Sequence, residues 1–193
     1  MDEQQFVTEL IKGDEQAFRK LVKEYKDQVY NTCIGLLRNA EDAEDTAQEV
    51  FIEVHNSIDT FNGESSLSTW IYRIAVNKSL ELIRYRKRKK RFAYFKALMN
   101  FDGETDEIED FNGFVHPGIE LENKERAKML MDAIGRLPES QKVAFTLHKI
   151  EGLSYKNISE VMEKSLSAIE SLIYRARQNL KDDLHDYYKK DGS

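Results

Sequence analysis

Residues 137–180 read LPESQKVAFTLHKIEGLSYKNISEVMEKSLSAIESLIYRARQNL, and the reading of this stretch decides the fold. It runs helix, short break, helix, short break, helix. Ser154 can cap the middle helix, which turns Ile158, Val161 and Met162 inward. A break follows at residues 163–165. The last helix turns Ile169, Ala176 and either Leu172 or Ile173 inward, and Arg175, Arg177 and Lys181 outward. Its start has two candidate caps: Ser167 with Glu170 at capping-box spacing, or Ser165. Such a layout can set one helix in a DNA major groove, with free helix-terminal amides on phosphate oxygens. A plain three-helix bundle with solvated charges has the same spacing, so this block alone does not separate the two.

Working outward, composition narrows the classes. The chain has 193 residues, 33% of them charged, with 9 glycines and 2 prolines, which favours helices over β-turns. Its net charge of −6 is uneven. Residues 101–125 hold nine acidic side chains and one basic, a local charge of −8 that leaves the remainder at +2. Residues 84–99 hold eight cations and no anion. The distribution therefore permits a polyanionic partner that the mean charge argues against. A single cysteine, Cys33, excludes an internal disulfide and a cysteine-based metal cluster. The start MDEQQ lacks the basic and apolar parts of a secretory signal, and no apolar run approaches the ~20 residues of a membrane span. A soluble, cytoplasmic protein without membrane insertion is the expectation.

Upstream of the acidic segment the periodicity is again helical. Asp14 can cap a helix whose apolar stripe is Phe18, Leu21, Val22, Tyr25, Val29, Cys33, Leu36 and Leu37. Cys33 sits on that stripe and reads as a buried, inert thiol. A second helix opens at residues 40–43 and turns Ala47, Val50, Phe51, Val54 and Ile58 inward. The segment FNGESSLSTW, residues 61–70, reads as a loop closed by a cap at Ser66 or Ser68. A third helix carries Trp70, Ile71, Ile74, Ala75 and Leu82 and then becomes wholly basic. The first part of residues 92–118 can continue it. From Asn100 onward, three glycines, a proline and the acidic run favour a tether. The expected architecture is all-α: two small helical domains, residues 1–92 and 121–193, joined by a flexible acidic linker at 93–120, the second domain containing a helix-turn-helix.

Two further features bear on function. In RYRKRKKR, residues 84–91, seven of eight side chains are cationic, and a polyanion relieves the repulsion among them. Around it, Trp70, Tyr72 and Tyr85 can stack on unpaired bases, while Asn62, Ser65, Ser66, Asn77 and Lys78 can bond base edges or phosphates. A core anchor is the stronger reading of Trp70. Catalytic constellations are absent from the sequence. The four histidines are scattered, and neither a phosphate-cradling glycine loop nor a nucleophile elbow occurs. No cofactor and no enzymatic activity are expected.

Three collinear stretches, DAEDTAQEVFIEVHNSIDTF at 42–61, SSLSTWIYRIAVNKSLELIRYRKR at 65–88, and the C-terminal stretch quoted above, resemble bacterial RNA polymerase sigma factors of the extracytoplasmic-function group. The resemblance spans nearly the whole chain outside the acidic segment. It implies a dissociable subunit that binds core RNA polymerase, recognises two promoter elements and opens the DNA, and that is held inactive by an anti-sigma protein. By position, Asp42, Asp45, Gln48 and Glu49 match the helix that docks on the polymerase clamp. Residues 62–68 match the loop that accepts a flipped base, and extruding a base costs a few kcal/mol that other contacts must offset. Arg73, Asn77, Lys78 and Arg84 match the face beside the opened strands. Arg86, Lys87 and Arg88 belong to the same DNA-binding surface. Lys156, Ser171, Arg175 and Arg177 match the face toward the upstream, −35-type element. The alternatives are a helix-turn-helix activator that binds duplex DNA without polymerase, and a helical adaptor with no nucleic-acid role.

The chain departs from the family pattern at residues 168–172, AIESL, where the family commonly has Thr-Val-Lys-Ser-Arg. Two cations are replaced by Glu170 and Leu172. Arginine suits guanine and an apolar side chain suits a thymine methyl, so an upstream element poor in guanine is expected. Leu172 can instead pack inward, and Glu170 can accept from cytosine or cap its own helix. For residues 102–110 the readings are a soluble tether, a nucleic-acid mimic in a basic polymerase channel, or a clasp on the basic run.

Overall fold

The computed structural model describes residues 3–98 and 121–190. Among them the chain forms eight α-helices and no strand. Domain 1 comprises α1 (Glu3–Ile11), α2 (Glu15–Leu37), α3 (Ala40–Ser57) and α4 (Leu67–Leu98). Domain 2 comprises α5 (Leu121–Arg136), α6 (Glu139–Lys149), α7 (Tyr155–Met162) and α8 (Leu166–Lys190). α4 continues to Leu98, in keeping with the expectation that the first part of residues 92–118 can continue the helix. Residues 99–120, which include the carboxylates at 102–110, lie outside the described residues.

Local chemistry sets the helix ends. The Asp14 carboxylate accepts from the Ala17 amide at 2.8 Å and starts α2. Asn39 does the same for α3 through the Asp42 amide at 2.9 Å. The Ser66 hydroxyl accepts from the Thr69 amide at 3.1 Å, so Ser66 and not Ser68 caps α4. Ser154 caps α7 as expected, by the Asn157 amide at 3.1 Å. At α8 the Ser165 hydroxyl takes the Ala168 amide at 3.3 Å. That choice places Ser167 inside the first turn.

α2, α3 and α4 wrap a core of Leu21, Val29, Cys33, Val50, Val54, Leu67 and Ile71. Each fully buried aliphatic side chain contributes about 1.5–3 kcal/mol. Phe6, Val7 and Leu10 of α1 close one side of this core. Their short helix escapes the sequence reading, because three turns carry too few apolar positions for a periodicity. Cys33 is fully buried, and burial pushes its thiol up to about 11, which keeps it protonated and inert. Trp70 packs on the same core, 5.5 Å from the Phe61 ring, as a core anchor does.

Domain 2 has its own contacts, with Ala133, Ile134 and Leu137 against Ala176 and Leu180. A second cluster crosses between domains. Leu36 of α2 and Tyr72 and Val76 of α4 pack with Val143, Ala144, Leu147, Ile158, Val161, Ile169 and Ile173 of domain 2. Leu36, on the stripe expected to serve the first core, thus serves this seam. Residues 32–37 are buried without a break, because the end of α2 is covered on one face by its own domain and on the other by α6.

Candidate nucleic-acid interface

On α3 the acidic stripe divides in two. Asp45, Gln48 and Glu49 are exposed and share a face with Ile52, which is 60% exposed. Asp42 does not belong to that open surface. Its side chain is 13% exposed, and the Arg86 guanidinium grips both carboxylate oxygens. This pair ties the start of α3 to the basic end of α4. Ile52 was legible in principle: with Val50, Phe51 and Val54 turned inward, helical geometry leaves it outside.

The loop before α4 keeps Asn62 exposed, its Oδ1 accepting from the Glu64 amide at 3.1 Å. Ser65 is half-buried, and Ser66 is exposed while serving as the helix cap.

Along α4 the expected DNA-facing side chains fall into two groups. Asn77, Lys87 and Arg88 are exposed. The others are engaged within the protein. Lys78 pairs with Glu53 at 3.2 Å. Arg73 donates to the Glu160 carbonyl from Nε at 3.1 Å and from Nη2 at 2.8 Å, and lies 3.5 Å from a Glu163 carboxylate oxygen. Arg84 meets Glu139 at 2.5 Å, and that carboxylate raises the guanidinium's already high pKa. Tyr72, expected to stack on bases, is instead buried in the seam and donates to Glu151 at 2.9 Å. Burial, and then the Glu151 charge, raise its pKa. Tyr85 remains exposed at 57%.

In domain 2, α7, a turn at residues 163–165 and α8 form the helix-turn-helix. The turn is closed by Glu163 in the left-handed region, φ 52°. Lys156, Ser171, Arg175 and Arg177 are all exposed. Ser171 and Arg175 share a face of α8 with Tyr174, which is 64% exposed and went unremarked in the sequence. Ile173 is the inward residue, and Leu172 packs half-buried against the same cluster. That packing explains Leu172 without a base contact.

No group of three His, Cys, Asp or Glu side chains among the described residues is placed to hold a metal ion. No helix among them is long and apolar enough to cross a membrane.

Two family models match the chain: Sigma-70 region 2 over residues 21–89, and Sigma-70 region 4 over residues 127–180. Curated proteins match almost end to end. The ECF RNA polymerase sigma-E factor of Haemophilus influenzae is 33% identical over 191 residues, covering 94% of this chain and 95% of the relative. The RNA polymerase sigma-H factor of Pseudomonas aeruginosa is 34% identical, with 91% and 90% covered. The ECF RNA polymerase sigma factor SigW of Bacillus subtilis is 31% identical, with 93% and 95% covered. Among solved structures, CnrH in complex with the cytosolic domain of CnrY superposes with a TM-score of 0.68 at 20% identity, covering 95% of this chain and 97% of that one. The sigma factor RpoE of Bartonella quintana, in complex with the anti-sigma factor NepR, gives 0.64 at 21% identity, with 87% and 96% covered. At these identities the two structures speak for the fold.

Proposed function

The chain belongs to the extracytoplasmic-function group of sigma factors, and from that premise we propose how its residues divide the work of starting transcription. It is a transcription initiation factor that joins core RNA polymerase, recognises promoter DNA through two helical domains and opens it. The carrying observation is that regions 2 and 4 occur in order on one chain, each with an exposed face suited to its partner. Its place of action is the cytoplasm, where core polymerase and promoter DNA meet.

In this reading Asp45, Gln48 and Glu49 dock on a basic polymerase surface, with Ile52 as the apolar centre of the contact. Asp42 contributes by fixing Arg86 and the start of the docking helix. The loop carrying Asn62, Ser65 and Ser66 receives a base flipped from the separated strand. Asn77, Lys78, Arg73 and Arg84 line the opened strands, and Lys87 and Arg88 grip backbone phosphates. Ser171, Tyr174 and Arg175 read the upstream element, with Lys156 and Arg177 on flanking phosphates. The chain supplies binding and positioning, and the chemistry of RNA synthesis belongs to the polymerase. An anti-sigma protein that covers these surfaces is the expected regulator; the structurally similar sigma factor RpoE of Bartonella quintana is solved in complex with the anti-sigma factor NepR.

Purified core polymerase tests the reading. Adding this chain to core and a genomic template should yield transcripts from defined start sites. An independent activator would yield them only when a resident sigma factor is also present, and that result would overturn the assignment.

A further inference from the structure

Glu170 stands on the surface that α8 offers to DNA, where a negative charge needs a reason. Its side chain is exposed and has no hydrogen bond or ion pair among the described residues. It lies beside Ser171 and one turn before Tyr174, on the same helical face as that exposed ring. A carboxylate near the start of a helix has three ordinary uses within a protein, and none of them falls to Glu170. The cap of α8 is the Ser165 hydroxyl, which takes the Ala168 amide, so the Ser167–Glu170 box is not formed. The Ser167 hydroxyl lies instead 3.2 Å from that of Ser165. Glu170 sits five residues past the cap, and the attraction of the helix dipole for an anion falls off within the first turn. Its neighbours one turn away are Leu166, Ser167, Ile173 and Tyr174, none of them cationic, so no ion pair along the helix uses it.

In free solution water satisfies such a carboxylate. Against DNA it loses that water and faces the phosphates, so it weakens binding unless a base edge donates to it. In the major groove guanine presents two acceptors, and thymine an acceptor and a methyl group, so neither has a proton to give. Adenine donates from N6 but sets the N7 acceptor beside it, where it meets the second carboxylate oxygen. Cytosine donates from N4 and carries no acceptor on that edge. We infer that Glu170 is a specificity-determining residue for the upstream element: its carboxylate accepts from the N4 amine of one cytosine and disfavours the other three bases at that position. The inference rests on the assignment of Ser171, Tyr174 and Arg175 to that element given above. At ~1.5 Å of rise per residue and ~3.4 Å per base pair, the Glu170 and Arg175 contacts lie about two base pairs apart. An element otherwise poor in guanine on the strand that is read thus keeps one G·C pair, recognised from its cytosine.

The experiment uses the full chain assembled with core polymerase. Bound duplexes are selected from a pool randomised across the upstream element, and affinities are then measured for all four bases at each enriched position. Wild type should prefer cytosine over thymine at one position by about tenfold. Glu170→Gln keeps the length of the side chain and adds a donor, which suits N6 and N7 of adenine together. Adenine should therefore replace cytosine at that position alone. Glu170→Ala should level the four bases there to within about twofold and leave the position that responds to Arg175→Ala unchanged. Both variants should match wild type in helicity, because the side chain they alter is exposed and unbonded.

A uniform gain in affinity for every sequence in both variants would mean that Glu170 only repels phosphates, and would overturn the inference. So would a wild-type element with no preferred cytosine, or a cytosine preference that both variants keep. A wild-type holoenzyme that starts no transcripts at defined sites and enriches no upstream element would reject the assigned function, and the inference with it. Directed transcription with an unaltered base preference rejects the inference alone, which keeps the two failures apart.

Discussion

α4 and α8 are the two helices proposed to face DNA, and they hold their cations differently. On α4, Arg73, Lys78, Arg84 and Arg86 are each bound to a carboxylate of the same protein. On the helix-turn-helix, Lys156, Arg175 and Arg177 are exposed and form no ion pair among the described residues. A guanidinium already held by a carboxylate must surrender that partner before it grips a phosphate. α8 therefore presents a finished surface and α4 a conditional one. On the proposed assignment, duplex recognition by domain 2 should precede strand capture by domain 1.

The largest effect should come from attacking what keeps α4 conditional. Leu21 and Leu36 lie on the same helix and are both almost wholly buried, but Leu21 faces its own domain and Leu36 faces the other. Leu21→Ala should cost domain 1 about 2–5 kcal/mol of folding stability, read as a lowered denaturation midpoint. Leu36→Ala should leave most of that stability in place and expand the free chain in solution instead. Equal losses of folding stability for the two would mean that the seam is part of one indivisible core, and the contrast between α4 and α8 would lose its basis.

Next in size is the base-reading face. Arg175→Ala should weaken binding to the upstream element by about 1–3 kcal/mol, equally in free chain and holoenzyme, because no described residue pairs with Arg175. Arg73→Ala should behave differently in the two settings. In the holoenzyme it only removes a contact, whereas in the free chain it also loosens the seam, and the two consequences oppose each other. Footprinting of the holoenzyme beside strand binding by free chain separates them. Identical responses of Arg73→Ala in both settings would erase the distinction.

Much of this contrast was legible in the sequence, and the rest was hidden for identifiable reasons. The caps at Asp14 and Ser154, the stripe of α2 and the helix-turn-helix follow from spacing and local hydrogen bonding, which are properties of a few adjacent residues. Ser165 and the Ser167–Glu170 box satisfy the same local pattern, so spacing alone does not choose the Ser165 start that the structure adopts. The destinations of Leu36 and Tyr72 were not legible. Periodicity says which face of a helix is buried but not which domain buries it. Gly35 and Gly135 likewise read as ordinary helical residues until the opposing side chains, Thr146 and Arg38, are in place.

A smaller effect distinguishes the cations that remain open on α4. Lys87 and Arg88 are exposed, so Lys87→Gln/Arg88→Gln should reduce the salt dependence of holoenzyme binding by about two counterions, uniformly across promoter sequences. A change confined to particular sequences would move these residues from phosphate contact to base reading. It would also make the basic end of α4 resemble α8 more closely than its geometry suggests.

The finest test uses pH. Burial in the seam, with Arg38 and Lys87 nearby, lowers Lys142 to about 8 from an ordinary 10.5, while Glu139 pulls the other way. Closure thus favours the neutral amine. Below pH 8 Lys142 is charged whether the seam is open or shut, and the penalty on closure is complete. Between pH 8 and 10.5 the closed form sheds the proton first, so closure strengthens as pH rises. The closed fraction in free chain should therefore increase, with a several-fold change in the opening equilibrium between pH 7 and 9. Glu151 acts at the other end: burial raises its carboxyl, and the Tyr72 hydroxyl offsets part of the rise, so acidification through its elevated range also favours closure. Interdomain energy transfer across this range should show the widest opening at intermediate pH. Lys142→Met should flatten the alkaline limb alone, leaving the acid limb to Glu151. An alkaline limb that survives in Lys142→Met would assign the response to another group, and a free chain equally closed from pH 6 to 9 would show that α4 is held by packing with no electrostatic bias.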